Sequence, residues 1–178
     1  MLVDDFIAAI NDWKARKFYP GSIICVDESI IRWYRIGGDY LPIGLPHFVV
    51  IHTKPDKGVE VQTSACSKCG VLCQLRLMKS TLEMRKINFA RHVPSDENVG
   101  TTAVKQLTAP WHKSNRVAVG DSAFASIATA MEAHKLGLGF VSVVKTAIKN
   151  FPKDFLQNIQ LQDCGDFFGM TTKKMGLT

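Results

Sequence analysis

Apolar residues recur near the start of the chain at Val3, Phe6, Ile7, Ile10 and Trp13, the three-and-four spacing of one helix face. Residues 3–16 are therefore predicted to form an amphipathic helix, which Tyr19-Pro20-Gly21 stops. The pattern then changes to short apolar runs separated by turn residues, predicting an antiparallel meander with strands at 22–26, 30–34, 48–53, 59–65 and 71–77. The reversals are Gly37-Gly38-Asp39, Lys54-Pro55-Asp56-Lys57-Gly58 and Ser67-Lys68-Cys69-Gly70.

Residues 79–98 are polar and weakly periodic and predict an exposed connection. Helices and strands then alternate: a helix over 100–107, a strand over 116–119, a helix with Phe124, Ile127, Ala128 and Met131 on one face, and a strand over 138–144. A short helix opened by Pro152 follows, and residues 167–172 read as a strand turning at Lys173-Lys174-Met175-Gly176 into Leu177-Thr178. A meander followed by such alternation predicts a mixed α/β sheet with helices packed on it.

Length and composition set the scale. The chain has 178 residues, about one domain at roughly 150 residues each, and its 46% hydrophobic content is enough to bury a core, which argues against disorder or a coiled coil. The densest apolar stretch, residues 136–144, is closed by Lys145 and is well short of the roughly 20 residues of a spanning helix, so no membrane association is expected. No secretory pattern opens the chain, and an odd count of five cysteines fits a reducing intracellular compartment better than a disulfide framework. Lysine and arginine outnumber the acids 22 to 16, a mildly basic balance compatible with a polyanion partner or with a lysine-rich surface.

Two apolar runs each end in an aspartate, Ile23-Ile24-Cys25-Val26-Asp27-Glu28 and Val117-Ala118-Val119-Gly120-Asp121. On neighbouring strands these carboxylates would emerge together as hard oxygen donors, the arrangement that two-metal phosphoryl transfer needs. Taken singly, Asp121 is equally an ordinary helix N-cap and Asp27-Glu28 a charged turn.

The segment Tyr19-Pro20-Gly21-Ser22-Ile23-Ile24-Cys25-Val26-Asp27-Glu28-Ser29, with Ile31-Arg32-Trp33 after it, resembles the corresponding stretch of piggyBac-type transposases. Leu45-Pro46-His47-Phe48, Lys54-Pro55, Gly58-Val59-Glu60 and Cys69-Gly70-Val71 are similar to that family's next strands, in order. Val119-Gly120-Asp121-Ser122-Ala123-Phe124-Ala125-Ser126 is similar to its second catalytic strand, and Val143-Val144-Lys145-Thr146 with Phe151-Pro152-Lys153-Asp154 to the segment after the next.

The resemblance implies an incomplete RNase H-like DDE/D core over residues 19–178, preceded by a helix over 1–18 packed on it. It implies Asp27 and Asp121 as the first two catalytic, metal-binding carboxylates, Mg²⁺ or Mn²⁺ as the ion, DNA as the partner, and a nuclear site of action if the parent activity is kept. The third acid of the family is expected beyond residue 178, because Asp154, Asp163 and Asp166 come too early. The parent reaction is metal-dependent DNA strand cleavage and transfer, and this chain alone is expected to be inactive. The alternative is a non-catalytic, domesticated DNA- or protein-binding remnant. A homodimer is compatible with either reading, and no small-molecule cofactor is implied.

Cys66, Cys69 and Cys73 make one knuckle where a structural zinc site commonly uses two, so no zinc is expected. Trp13, Trp33 and Trp111 read as core or sheet-face aromatics. Arg32, Arg35 and Lys145 are candidate nucleic-acid contacts, and Lys79, Arg85, Lys86, Arg91 and Lys113 give the connecting region a basic bias.

Overall fold

Ile24, Val26 and Ile30 keep a period of two straight through Asp27-Glu28, and in the computed structural model, which describes residues 2–32, 48–50, 57–78, 98–145 and 151–170, that run is one strand. The elements are α1 (Leu2–Lys17), β1 (Ile23–Arg32), β2 (Phe48–Val50), β3 (Lys57–Cys66), β4 (Leu72–Leu77), α2 (Val99–Leu107), a 3-10 turn (Ala109–Trp111), β5 (Val117–Gly120), α3 (Ile127–Lys135), β6 (Gly139–Ser142) and α4 (Lys153–Gln157). The separate strands expected at 22–26 and 30–34 are therefore joined as far as Arg32. Continuous antiparallel pairing with β3, from Ile24–Cys66 to Arg32–Gly58, overrides the turn tendency of the charged pair.

The six strands form one mixed sheet. β3 carries β1 on one edge; on the other it pairs antiparallel with β2 at Lys57–Val59 and with β4 at Val61–Ala65. β5 joins the far edge of β1 in parallel, and β6 joins β5 in parallel. The β5–α3–β6 unit is the crossover that parallel strands require.

Alternation sends Ile24 and Val26 of β1 to the face covered by α2, and the register puts Ser64, Cys66 and Ala118 there too. Val26, Ala118, Phe124, Ala103, Val104 and Leu107 form one buried cluster with Phe140 against it. Ile24, Cys66, Cys73 and Trp111 form a second, joined by Phe18. Each fully buried aliphatic side chain contributes about 1.5–3 kcal/mol, so these clusters fix where α2 sits. The buried Ser64 hydroxyl donates to the Leu107 carbonyl at 2.8 Å, tying sheet to helix.

α1 lies along β4. The Asn11 amide donates to the Leu75 carbonyl at 2.7 Å and accepts the Leu75 N–H at 2.8 Å, while the Gln74 amide donates to the Asn11 carbonyl at 3.0 Å. One side chain thus closes both backbone groups of an edge-strand residue, which otherwise offer a pairing site to another chain. This docking sets the helix's rotation. Ile7, Ile10 and Lys14 are half-buried, but Val3, Phe6 and Trp13 point outward, with Phe6 64% and Trp13 58% exposed. The expected apolar stripe is only partly the packed face, and Trp13 is not a core residue whereas Trp111 is.

α3 also differs from its expected phase. Ser126 is its N-cap, accepting the Thr129 N–H at 2.9 Å, so Phe124 precedes the helix. Its buried residues are Thr129 and Ala133, because the Thr129 hydroxyl hydrogen-bonds the buried Thr101 hydroxyl of α2 at 2.8 Å; Ala128 is exposed. Residues 167–170 form no strand: Phe168 packs on Phe155 of α4 with ring centroids 6.0 Å apart, and Phe167 is 89% exposed. The turns expected at 37–39 and 54–56, the connection at 79–97 and the chain end from 171 lie outside the described residues.

Candidate functional site

Parallel pairing of β1 with β5 runs Ile23–Val117, Ile24–Ala118, Cys25–Val119, Val26–Gly120. Asp27 and Asp121 each follow the last of these pairs, one on each of two neighbouring strands spaced about 4.8 Å apart. Since Val26 and Ala118 face α2, alternation directs Asp27 to the opposite, open face of the sheet, and both aspartates are exposed. β5 does end at its aspartate. β1 does not: Asp27 lies within it, paired with Thr63 of β3.

Glu28 takes the α2-side face beside Gln62, so its carboxylate and that of Asp27 leave the sheet on opposite sides. On that side the Gln62 amide donates to Glu60 at 3.0 Å and Arg76 donates to Gln62 at 3.1 Å. Burial draws the Arg76 guanidinium down to about 10, against the pull of the Glu60 charge.

Asp121 is positioned by a turn rather than by a helix cap. Its Oδ1 accepts the Ala123 N–H at 2.8 Å and its carbonyl accepts the Phe124 N–H at 3.2 Å, while the Phe124 ring is buried against Val26 and Ala118. α2 supports this turn from below. Asn98 caps the helix by accepting the Gly100 N–H at 2.8 Å, and Gly100 approaches so closely that a Cβ there would stand 2.8 Å from the Ala123 carbonyl oxygen. Asp27 Oδ1 accepts the Glu28 N–H at 2.8 Å. Among the described residues, the second carboxylate oxygen of each aspartate has no protein partner, no cation pairs with either, and no cluster of three or more acidic, histidine or cysteine side chains forms a metal site.

Asp27 within β1 and Asp121 in the turn after β5 present exposed carboxylate oxygens, hard donors of the kind that a divalent cation such as magnesium or manganese takes. Sequence reasoning found both acids but missed what holds them: Phe124, Gly100 and the Asn98 cap. The Asn-Val-Gly run before a helical pattern was the available signal.

Of the candidate nucleic-acid contacts, Arg32 ends β1 and Lys145 is exposed just after β6, at the carboxyl end of the parallel strands where the aspartates sit; Arg35 is outside the described residues. Lys113 is exposed; Lys79, Arg85, Lys86 and Arg91 are outside the described residues, as is Trp33.

The cysteine hairpin is built tightly. Gly70, at φ +70, makes the left-handed step that a side chain would strain, and its N–H bonds the Cys66 carbonyl at 2.9 Å. The Gly21 N–H donates to Cys66 Sγ at 3.4 Å. That bond, followed by ones from the Cys69 and Lys68 N–H groups and the Cys69 thiol, draws the Cys66 thiol down to about 7. Burial pushes Cys73 up to about 11, with the Cys66 charge adding to it; its thiol donates to the Val71 carbonyl at 3.4 Å.

A family model described as Transposase IS4 matches residues 2–177. The chain belongs to the IS4 transposase family. The cryo-EM structure of a piggyBac transposase synaptic complex with hairpin DNA superposes with TM-score 0.70 at 18% identity, covering 90% of this chain. The chain spans 30% of that protein's length. The crystal structure of the Mos1 mariner paired end complex with Mn aligns at TM-score 0.39 and 11% identity, over 85% of this chain and 44% of that one. No curated protein matches.

The fold of this IS4-family chain is thus the mixed α/β, RNase H-like architecture of the piggyBac transposase, with β3 antiparallel to β1 and β5 and β6 parallel to it. Its sequence marks a transposition-related domain. DDE transposases as a class use divalent metal ions, the kind of ion an outward-facing pair of carboxylates suits.

Proposed function

We propose that this chain supplies two of the metal-holding carboxylates of a DNA-cleaving transposase core, Asp27 and Asp121, with Mg²⁺ or Mn²⁺ as the ion and the DNA phosphodiester as substrate. The observation that supports the reading is the Val26–Gly120 register, directly after which both aspartates follow on neighbouring chain segments. A divalent cation bound there supplies positive charge that polarises a phosphoryl oxygen and offsets the charge that builds up in phosphoryl transfer. The protein's part is to hold two oxygen donors on rigid elements: Asp27 inside a strand paired on both edges, Asp121 in a turn pinned by Phe124. Lys145, exposed just after β6 at the carboxyl end of the parallel strands, would meet a flanking phosphate.

The test is thermal unfolding and plasmid nicking with and without Mg²⁺ or Mn²⁺, for the wild-type chain and for Asp27→Asn and Asp121→Asn. A cation at about ten times its Kd adds about 1.4 kcal/mol, a rise in Tm of about 3–6 °C for a chain of this size. That rise is expected in the wild type and in neither variant. An equal rise in all three, or none in the wild type, refutes the metal pair.

A second reading is favoured by the excess of lysine and arginine over acids, 22 to 16. In that reading the domain binds DNA or protein without cutting. Salt-sensitive DNA binding that survives Asp27→Asn, without nicking or a cation response, would support it.

A further inference from the structure

The hairpin joining β3 to β4 carries a thiol pair that the transposase reading leaves unused. Cys66 ends β3 and Cys69 lies in the turn that the Gly70 N–H closes onto the Cys66 carbonyl at 2.9 Å, so the two cysteines stand three residues apart across one tight reversal. They differ in access: Cys69 is exposed, whereas Cys66 is 3% exposed. Cys73 is the less accessible neighbour: its fully buried thiol packs with Cys66, Ile24 and Trp111 and donates to the Val71 carbonyl at 3.4 Å. Cys25 is half-buried on a central strand, and Cys164 is exposed in the C-terminal segment.

We propose that Cys66 and Cys69 are a reversible oxidation site that closes to an intramolecular disulfide on reaction with a small disulfide of the glutathione type. The exposed Cys69 thiolate attacks one sulfur of the small disulfide; a mixed disulfide forms and one small thiolate leaves. Cys66 then attacks Cys69 Sγ, the Cys66–Cys69 bond forms, and the second small thiolate leaves. Two protein thiols give up two protons and two electrons, and the small disulfide is reduced to two thiols. A Cys66 thiol held near 7 supplies thiolate for the second step at neutral pH.

The same sulfur is tied to the sheet that carries the aspartates. Gly21 donates to it directly, and Arg116, just before β5, donates to the Pro20 and Gly21 carbonyls at 3.0–3.2 Å. A disulfide sulfur is a weaker acceptor than a thiolate, so closure loosens the segment that enters β1.

The test is to equilibrate the reduced wild-type chain over a range of oxidised-to-reduced glutathione ratios, block remaining thiols and map the tryptic peptides. Lys68 lies between the two cysteines, so cleavage there leaves a Cys66–Cys69 bond as a cross-link between two peptides. That cross-link is expected, released by dithiothreitol, absent in Cys69→Ser, whose altered side chain is at the surface, and retained in Cys73→Ala. Cys69 stopping at the glutathione adduct, Cys66 remaining free at every ratio, or Cys69 pairing with Cys164 would each overturn the proposal.

Discussion

Gly100 in the first turn of α2 lies directly beneath the Ala123 carbonyl, where a Cβ would come within 2.8 Å of the oxygen and 3.1 Å of Phe124 Cα. Both contacts are backbone, so neither can swing aside. Gly100→Ala gains about 1 kcal/mol of helix propensity, while overpacking costs typically 1–3 kcal/mol, so the net effect is destabilising. Displacement falls on the turn that holds Asp121. The variant should lose up to about 2 kcal/mol in urea unfolding and show a smaller cation-induced rise in Tm than the wild type. A stabilised variant with a full cation response would show that the turn is not seated on α2.

Phe124 is the other anchor of that turn, 2% exposed between Val26 and Ala118. Phe124→Ala should cost about 3–5 kcal/mol, typical of a truncated core aromatic, with Phe124→Leu recovering most of it. Urea midpoints of the two variants measure this directly. Equal losses for both would mean that ring shape, not buried volume, is what the turn requires.

Asn11 predicts a different failure. Asn11→Ala removes both hydrogen bonds to Leu75 and leaves the backbone groups of an edge strand unmet, at a cost of about 1–3 kcal/mol. With the edge of β4 uncovered, self-association should rise with concentration, which size-exclusion chromatography would detect. A monomer of unchanged stability would show that α1 is held by its apolar contacts alone.

The thiols give a pH dependence with a definite sign under reducing conditions. Cys66 is lowered in the fold from 9.0 to about 7, so its contribution is complete above pH 9 and is lost as pH falls through 7. Cys73 is raised from 9.0 to about 11, so its contribution is present below pH 9 and is lost as pH rises toward 11. Together they predict stability climbing from pH 7 to 9 and falling above 9. Cys73→Ala should abolish the upper limb when urea midpoints are followed across that range.

The local pattern of the sheet was readable because alternation and turn residues are local signals: the reversal at Ser67-Lys68-Cys69-Gly70 and the strands either side are where period and glycine put them. Both aspartates stood out for the same reason, each directly following an apolar run. The Val26–Gly120 pairing joins residues far apart in sequence, and no local signal carries it. Charged pairs favour turns, but continuous pairing with β3 outweighs that preference at Asp27-Glu28. The buried helix faces depart from the apolar stripes where a polar contact sets the rotation, Asn11 to Leu75 in α1 and Thr129 to Thr101 in α3.

Adjacent acids on one strand allow the metal reading to be separated from a general charge effect. Asp27 and Glu28 are neighbours with the same charge, but alternation sends Asp27 to the open face and Glu28 to the α2 side with Gln62. If a cation is held by Asp27 and Asp121, Asp27→Asn should remove the Mg²⁺-induced rise in Tm and Glu28→Gln should keep it, even if Glu28→Gln lowers the starting Tm. Calorimetric titration with Mg²⁺ or Mn²⁺ gives the same comparison without unfolding the protein. Loss of the cation response in both variants would indicate diffuse charge attraction, and loss in Glu28→Gln alone would move the metal to the other face of the sheet.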